Sequence, residues 1–64
     1  MEITKLAKYA SKRTQRHALV LDVTATTVTY LIWSPADQWS EAAYTTTPCK
    51  ASHAVFRAVW EEWA

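Results

Sequence analysis

No glycine occurs among the 64 residues of this chain, and this absence restricts both its turns and its chemistry. Glycine-rich loops form the phosphate-binding Walker motif, the dinucleotide fingerprint and the nucleophile elbow of α/β-hydrolases. The sequence therefore excludes all three of these sites. Two-residue β-hairpins usually depend on Asn-Gly or Gly-X, so a hairpin in this chain needs a different connection.

The composition is that of one small globular domain. Half of the residues are apolar and 20% are charged, which is atypical of disordered chains. The 7.3 kDa chain is too short for a second domain, so we assign residues 1–64 to a single domain. The single cysteine, Cys49, excludes a disulfide framework. The sequence shows neither a secretory signal nor a long apolar span, so we expect a cytoplasmic protein without membrane contact.

Hydrophobic periodicity along the chain predicts an α+β fold with the order α-β-β-β-α. A basic amphipathic helix is expected within residues 1–16, an antiparallel sheet within 17–46 and a second helix within 47–64. The predicted elements are a helix over 3–14, strands over 17–24, 27–34 and 38–46, and a helix over 48–63 that begins with Thr47 and Pro48. The expected architecture is a three-stranded antiparallel meander that carries both helices mainly on one face.

Positive charge is concentrated at the start of the chain. Residues 1–16 contain five cations and one carboxylate, whereas the remaining residues contain two cations and five carboxylates. A stripe of lysines on a helix is commonly a solvated face. It is also suited to an anion, a nucleic acid or an acidic partner surface, and phosphate contacts would make binding strongly dependent on salt. The candidate contact residues are Lys5, Lys8, Lys12, Arg13 and Arg16.

Alternation along the predicted strands places large apolar side chains on both faces of the sheet. In the first strand, Leu19, Leu21 and Val23 are expected to face the helices, and Val20 is expected on the opposite face. The face opposite the helices would then meet solvent while still carrying apolar residues.

A hairpin centred on Ala36 would pair Trp33 with Trp39 and Leu31 with Glu41 on the face without helices. Large exposed apolar patches mark partner surfaces, and tryptophan is enriched among the residues that dominate binding energy. We therefore predict a protein-binding patch formed by Trp33, Trp39, Leu31 and Glu41. Two alternatives stay open. Either a second copy of the chain covers the patch, or the helices divide between both faces and the tryptophans belong to the core.

Catalytic chemistry is not expected from these residues. Cys49 and His53 stand four residues apart, which would bring them together on the predicted second helix. Zinc needs three or four ligands, and the chain has no second cysteine. A nucleophilic Cys-His pair would also need an orienting acid and an oxyanion hole, for which the sequence offers no motif. We therefore expect no enzyme activity, no catalytic residues, no metal and no cofactor.

These observations favour a non-enzymatic binding protein that acts by stoichiometric contact with a larger host protein or complex. Small proteins without catalytic motifs are common products of phages and mobile elements, where many inhibit host machinery. An anti-CRISPR or other anti-defence protein is one example of the expected class. The alternatives are a nucleic-acid-binding module that uses the basic N-terminal helix, and a homo-oligomeric structural or regulatory protein such as a homodimer.

Overall fold

The structure is a computed structural model that describes residues 2–36 and 38–63, and in these residues it is predominantly antiparallel β-sheet. The elements in chain order are β1 (Lys8–Ser11), β2 (His17–Val23), β3 (Thr27–Ser34), β4 (Ala43–Tyr44), β5 (Cys49–Ser52), α1 (His53–Val59) and β6 (Trp60–Glu62). The predicted α-β-β-β-α order with two helices is therefore wrong.

The long strand β3 organises the sheet, because it pairs with three other strands. Its residues 28–33 pair with β2 on one edge. On its other edge, β5 pairs with the first half of β3 and β4 pairs with its last two residues. The sheet continues from β2 through β1 to β6, and every pairing is antiparallel. The helix α1 connects β5 to β6, which lie on opposite sides of the central strands.

The predicted helix over residues 3–14 is replaced by an extended segment and strand β1. Tyr9 pairs with Ala18 of β2 and is buried, and Ile3 is buried beside it in the same apolar cluster. The Tyr9 hydroxyl accepts a 2.7 Å hydrogen bond from the Thr4 amide and donates to the Glu2 carbonyl at 3.1 Å. An isolated helix of this length is marginal in water, whereas pairing with β2 satisfies the backbone of both strands.

The C-terminal helix begins later and ends earlier than the predicted range of 48–63. Residues 49–52 pair with β3 instead of starting the helix. Ser52 is the N-cap, and its hydroxyl accepts a 3.2 Å hydrogen bond from the Val55 amide. The helix ends at Trp60, whose backbone is extended and continues into β6. The Thr47-Pro48 start is therefore wrong, because the residues that follow complete the free edge of β3.

The two long central strands confirm the predicted strands over 17–24 and 27–34. They are joined by a turn without glycine, and Thr24 closes it. The Thr24 hydroxyl accepts hydrogen bonds from the amides of Thr26 at 3.4 Å and Thr27 at 2.9 Å. The Thr24 amide in turn donates to the Thr27 carbonyl at 2.8 Å. A threonine side chain thus performs the closure for which hairpins commonly use glycine.

The predicted third strand over 38–46 is largely absent from the described residues. Only Ala43–Tyr44 form a strand there, and residues 38–42 are irregular. Alanine is a poor strand former, and the segment lacks the alternation that would bury one face.

Phe56 is the centre of the core. Its ring lies 5.3 Å from that of Tyr9 and 5.2 Å from that of Tyr30, and both contacts are edge-to-face. The Trp60 ring lies 6.2 Å away and is nearly parallel to it. The sheet contributes fully buried Val20 and Val28 beneath these rings. The helix therefore holds the sheet together by inserting one aromatic side chain among three others.

Burial raises the pKa of Tyr30, the neighbouring Cys49 adds to this effect, and a hydrogen bond from the Trp60 indole opposes it. A raised folded-state pKa means that the unfolded chain ionises first as the pH increases. The contribution of the buried, neutral Tyr30 phenol to stability is therefore fully present below about pH 10 and is lost as the pH rises through its folded-state pKa. We expect the free energy of unfolding to fall more steeply above about pH 10 in the wild type than in Tyr30→Phe.

Denaturant unfolding at a series of alkaline pH values measures this difference. Tyr44→Phe is the matched control, because Tyr44 lies on a short edge strand and is 39% exposed. It should retain the pH dependence of the wild type. If Tyr30→Phe shows the same slope as the wild type, burial of the Tyr30 phenol does not cause the alkaline loss.

Leu6 occupies a backbone position that glycine normally fills. Its φ is 65°, in the left-handed region. The Ala7 amide donates to the Thr4 carbonyl at 3.2 Å, the Leu6 amide to the Val20 carbonyl at 2.8 Å, and the Val20 amide to the Ala7 carbonyl at 3.1 Å. This pattern is a turn followed by a G1-type β-bulge, in which the left-handed residue is usually glycine. Leu6 is 69% exposed, so burial of its side chain offsets little of the energetic cost of this backbone conformation.

We expect Leu6→Gly to raise the free energy of unfolding by about 0.5–1 kcal/mol. The left-handed conformation costs a leucine roughly 1–2 kcal/mol, and the extra entropy of glycine in the unfolded chain offsets part of the gain. Leu6→Ala is the control, because it shortens the side chain and keeps the backbone cost. Urea unfolding compares the three proteins, and a Leu6→Gly protein less stable than Leu6→Ala would contradict the proposed strain.

Candidate protein-contact surface

The two faces of the sheet have different surroundings. On the inner face, α1 packs Phe56 against Tyr9 and Tyr30. In the described residues no helix covers the opposite face, which we call the outer face. Strand register assigns to it Lys8, Ala10, His17, Leu19, Asp22, Thr29, Leu31, Trp33, Tyr44, Lys50 and Glu61.

Aromatic rings stack at one end of the outer face. His17 and Trp33 are cross-strand partners, and their rings are stacked with centroids 4.6 Å apart and planes 16° apart. Trp63 packs against the same imidazole at 4.1 Å and 80°. Tyr44 is the cross-strand partner of Trp33 on the other side. His17 is therefore held between two indoles, and the stack joins three distant parts of the chain.

Of the predicted patch, the structure brings Leu31 and Trp33 to the outer face and leaves out the other two residues. Leu31 pairs with Leu19, and Trp33 pairs with Tyr44 instead of Trp39. Trp39 and Glu41 lie in the irregular segment after β3, where Trp39 is 86% exposed. The predicted pairing of Trp33 with Trp39 and Leu31 with Glu41 is therefore wrong.

Thr45 fixes the register that replaces the predicted one. Its amide donates to the Ile32 carbonyl at 2.8 Å, and its hydroxyl accepts from the Ile32 amide at 3.1 Å. These two bonds extend the β3–β4 pairing and leave residues 35–42 as a long connection. The segment around Ala36 has no Asn-Gly or Gly-X pair of the kind that tight hairpins favour.

The predicted faces of β2 are reversed for most of the strand. Val20 is fully buried on the inner face, and Leu19 lies on the outer face. A register shift between Val20 and Asp22 then returns Val23 to the inner face, opposite Val28. An extra residue in one strand inverts the alternation that follows it. Leu19 therefore joins Leu31 at the centre of the outer face, which simple alternation did not predict.

Sequence reasoning also missed His17, Trp63 and Tyr44 as parts of this surface. They come from three separate elements and meet Trp33 only through the register of the sheet. The one available signal was the placement of His17 directly before an apolar strand, which is too general to identify a stacking partner.

The basic residues do not form a helical stripe. Lys12, Arg13 and Arg16 lie in the connection between β1 and β2, which we call the hairpin tip (residues 12–16). Ser11 stabilises this tip, because its hydroxyl accepts from the amides of Arg13 and Thr14 at 3.3 Å each. Lys5 is exposed in the turn before Leu6, and Lys8 is exposed on the outer face. The five cations are therefore distributed over three places.

The outer face carries no excess of either sign of charge. Lys8 and Lys50 are its cations, and Asp22 and Glu61 are its carboxylates. They lie around the apolar residues Leu19 and Leu31, which pair at the centre. An apolar centre with a polar rim is the usual arrangement of a protein interface.

Cys49 and His53 do not form a reactive pair. Cys49 is half-buried on β5 opposite Tyr30. The Nε2 atom of His53 lies 2.7 Å from the Thr24 carbonyl oxygen, to which it donates. Within residues 2–36 and 38–63, no three His, Cys, Asp or Glu side chains gather as metal ligands would. No helix in this described part of the chain has the length and hydropathy needed to cross a membrane.

Comparisons with protein families, with characterised proteins and with solved structures return no match to this chain.

Proposed function

We propose that this chain is a non-enzymatic binding module that acts by stoichiometric contact with another protein through the outer face of its sheet. One observation supports this proposal above the others. The outer face presents a Trp33–His17–Trp63 stack and the Leu19–Leu31 pair, although α1 lies on the other side.

The distribution of apolar, aromatic and charged side chains on the outer face supports a protein as the partner. Aromatic side chains provide most of the binding energy at protein interfaces when they lie at the centre and polar residues surround them. On the outer face, balanced charges surround an apolar centre formed by Leu19 and Leu31, and the aromatic stack adjoins this centre at one end. More specifically, we propose that the partner is a larger protein and that binding of this chain covers a functional surface of that protein.

A second candidate function is nucleic-acid binding, and one observation favours it. Lys12, Arg13 and Arg16 are gathered on the five-residue hairpin tip. Arg16 adjoins the aromatic stack in sequence, because it directly precedes His17. The carboxylates of Asp22 and Glu61 on the outer face would repel the phosphates of a nucleic acid bound there. We therefore rank this function second.

A pull-down with nuclease treatment tests both functions. The tagged protein is compared with Trp33→Ala and with Val55→Ala, an apolar truncation on the exposed side of α1, where Val55 is 55% exposed. We expect one protein to be retained at equimolar amounts by the wild type and by Val55→Ala, and to be lost from Trp33→Ala. Retention that depends on nucleic acid would favour the second function, and equal retention by all three proteins would contradict the use of the outer face.

A further inference from the structure

We propose that, in the free protein, the outer face is covered by the outer face of a second copy of the chain. This inference rests on the proposed function and names the first occupant of the same surface. A different protein partner would then replace the second copy.

The register of the sheet makes the outer face complementary to itself. Consider a two-fold axis that lies midway between the two facing sheets. It runs parallel to the strands and passes over the boundary between β2 and β3. Because Leu19 pairs with Leu31 and His17 pairs with Trp33, this axis places Leu19 over Leu31 of the second copy. It also places His17 over Trp33 of the second copy. Aligned packing of two sheets at about 10 Å separation has this geometry in β-sandwiches.

The charged side chains set one cost of this arrangement. The same axis places Asp22 over Thr29 of the second copy, because these two residues are cross-strand partners. Lys8 and Lys50 lie on opposite sides of the axis and at different heights along the strands, so neither cation meets its own copy. The two Asp22 side chains, however, lie at the same height and about one strand spacing apart across the axis, so their repulsion opposes association at that end of the face.

The size of the face determines how strong the contact can be. The sheet is five strands wide because β4 and β5 share one edge of β3. With strands about 4.8 Å apart and about 20 Å long, the face covers roughly 500 Å² per copy. The total of about 1,000 Å² is at the lower limit for a specific interface. The dimer should therefore form at micromolar concentrations and dissociate on dilution.

The shortage of other stabilising devices also favours a second copy. The described residues bury only seven apolar side chains, and the single cysteine cannot form a disulfide within the chain. Domains of this size commonly gain stability from disulfides, metals or self-association. The Leu19–Leu31 pair and the aromatic stack are the apolar groups that a second copy would remove from water.

Sedimentation equilibrium over about 1–200 µM protein tests the proposal. We expect the wild type to approach twice its mass of 7.3 kDa at the upper end. Leu31→Glu should stay monomeric, because each dimer would bury two unpaired carboxylates. Val55→Glu is the matched control on the helix side and should dimerise like the wild type.

A second measurement is independent of whether Leu31→Glu folds. The denaturation midpoint of the wild type should rise with protein concentration, because dimerisation stabilises only the folded chain. A constant mass of 7.3 kDa together with a constant midpoint would overturn the dimer. If the protein is monomeric and the Trp33→Ala substitution still abolishes partner retention, the dimer alone is overturned. The proposed function is then unaffected. Equal dimerisation of Leu31→Glu and Val55→Glu would show that another surface is used.

Discussion

Phe56→Ala is expected to leave the chain largely unfolded at room temperature. The Phe56 side chain is 1% exposed and contacts the rings of Tyr9, Tyr30 and Trp60. Truncation of a buried phenylalanine costs about 3–5 kcal/mol through lost burial and the cavity that remains. A domain of this size has a total stability of only roughly 3–10 kcal/mol, so this loss removes most of it.

Circular dichroism with urea titration measures the effect of Phe56→Ala. Val55→Ala is the control, because Val55 precedes Phe56 on the same helix and is 55% exposed. Its free energy of unfolding should stay within about 0.5 kcal/mol of the wild type. A cooperative Phe56→Ala protein with near-native stability would show that α1 is not what holds the sheet together.

Trp33→Ala is expected to weaken partner binding by about 30-fold or more while the chain remains folded. Tryptophan is enriched among the interface residues whose truncation costs 2 kcal/mol or more, and 2 kcal/mol corresponds to this factor. Trp33 is only half-buried in the free chain, and its ring stacks on His17 instead of entering the Phe56 cluster. Its contribution to folding should therefore be smaller than its contribution to binding.

The same truncation at Trp39 provides a matched comparison. Trp39 is 86% exposed in the irregular segment and lies outside the outer face. Titration calorimetry with the purified partner should show less than about threefold weakening for Trp39→Ala. Equal losses at both tryptophans would move the interface to the segment after β3, and an unfolded Trp33→Ala protein would make Trp33 a structural residue.

The two central strands could be predicted because their signal is local. β-branched and aromatic residues dominate the segment around Tyr30, and the segment around Val20 is a mostly aliphatic run with two valines. The short strands could not be predicted in the same way. β1 reads as a helix by the spacing of Ile3, Leu6 and Ala10, and only its pairing with β2 and β6 makes it a strand. Such pairing joins residues that are far apart in sequence.

The candidate surface was predictable in part for a similar reason. Trp33 and Leu31 share a face by simple alternation, which the regular strand β3 preserves. Leu19 was assigned to the wrong face because the bulge before Asp22 shifts the pattern within β2. The stacking of Trp63 on His17 depends on the folded position of the C-terminus, for which alternation within a strand gives no information.

The most direct test of the outer face as a protein-contact surface compares partner retention after nuclease treatment. The three proteins compared are the wild type, Trp33→Ala and Val55→Ala. We expect the wild type and Val55→Ala to retain one protein at equimolar amounts, and folded Trp33→Ala to retain at most a few per cent of it. Undiminished retention by Trp33→Ala, or loss from Val55→Ala alone, would place the contact elsewhere and contradict the assignment of the outer face.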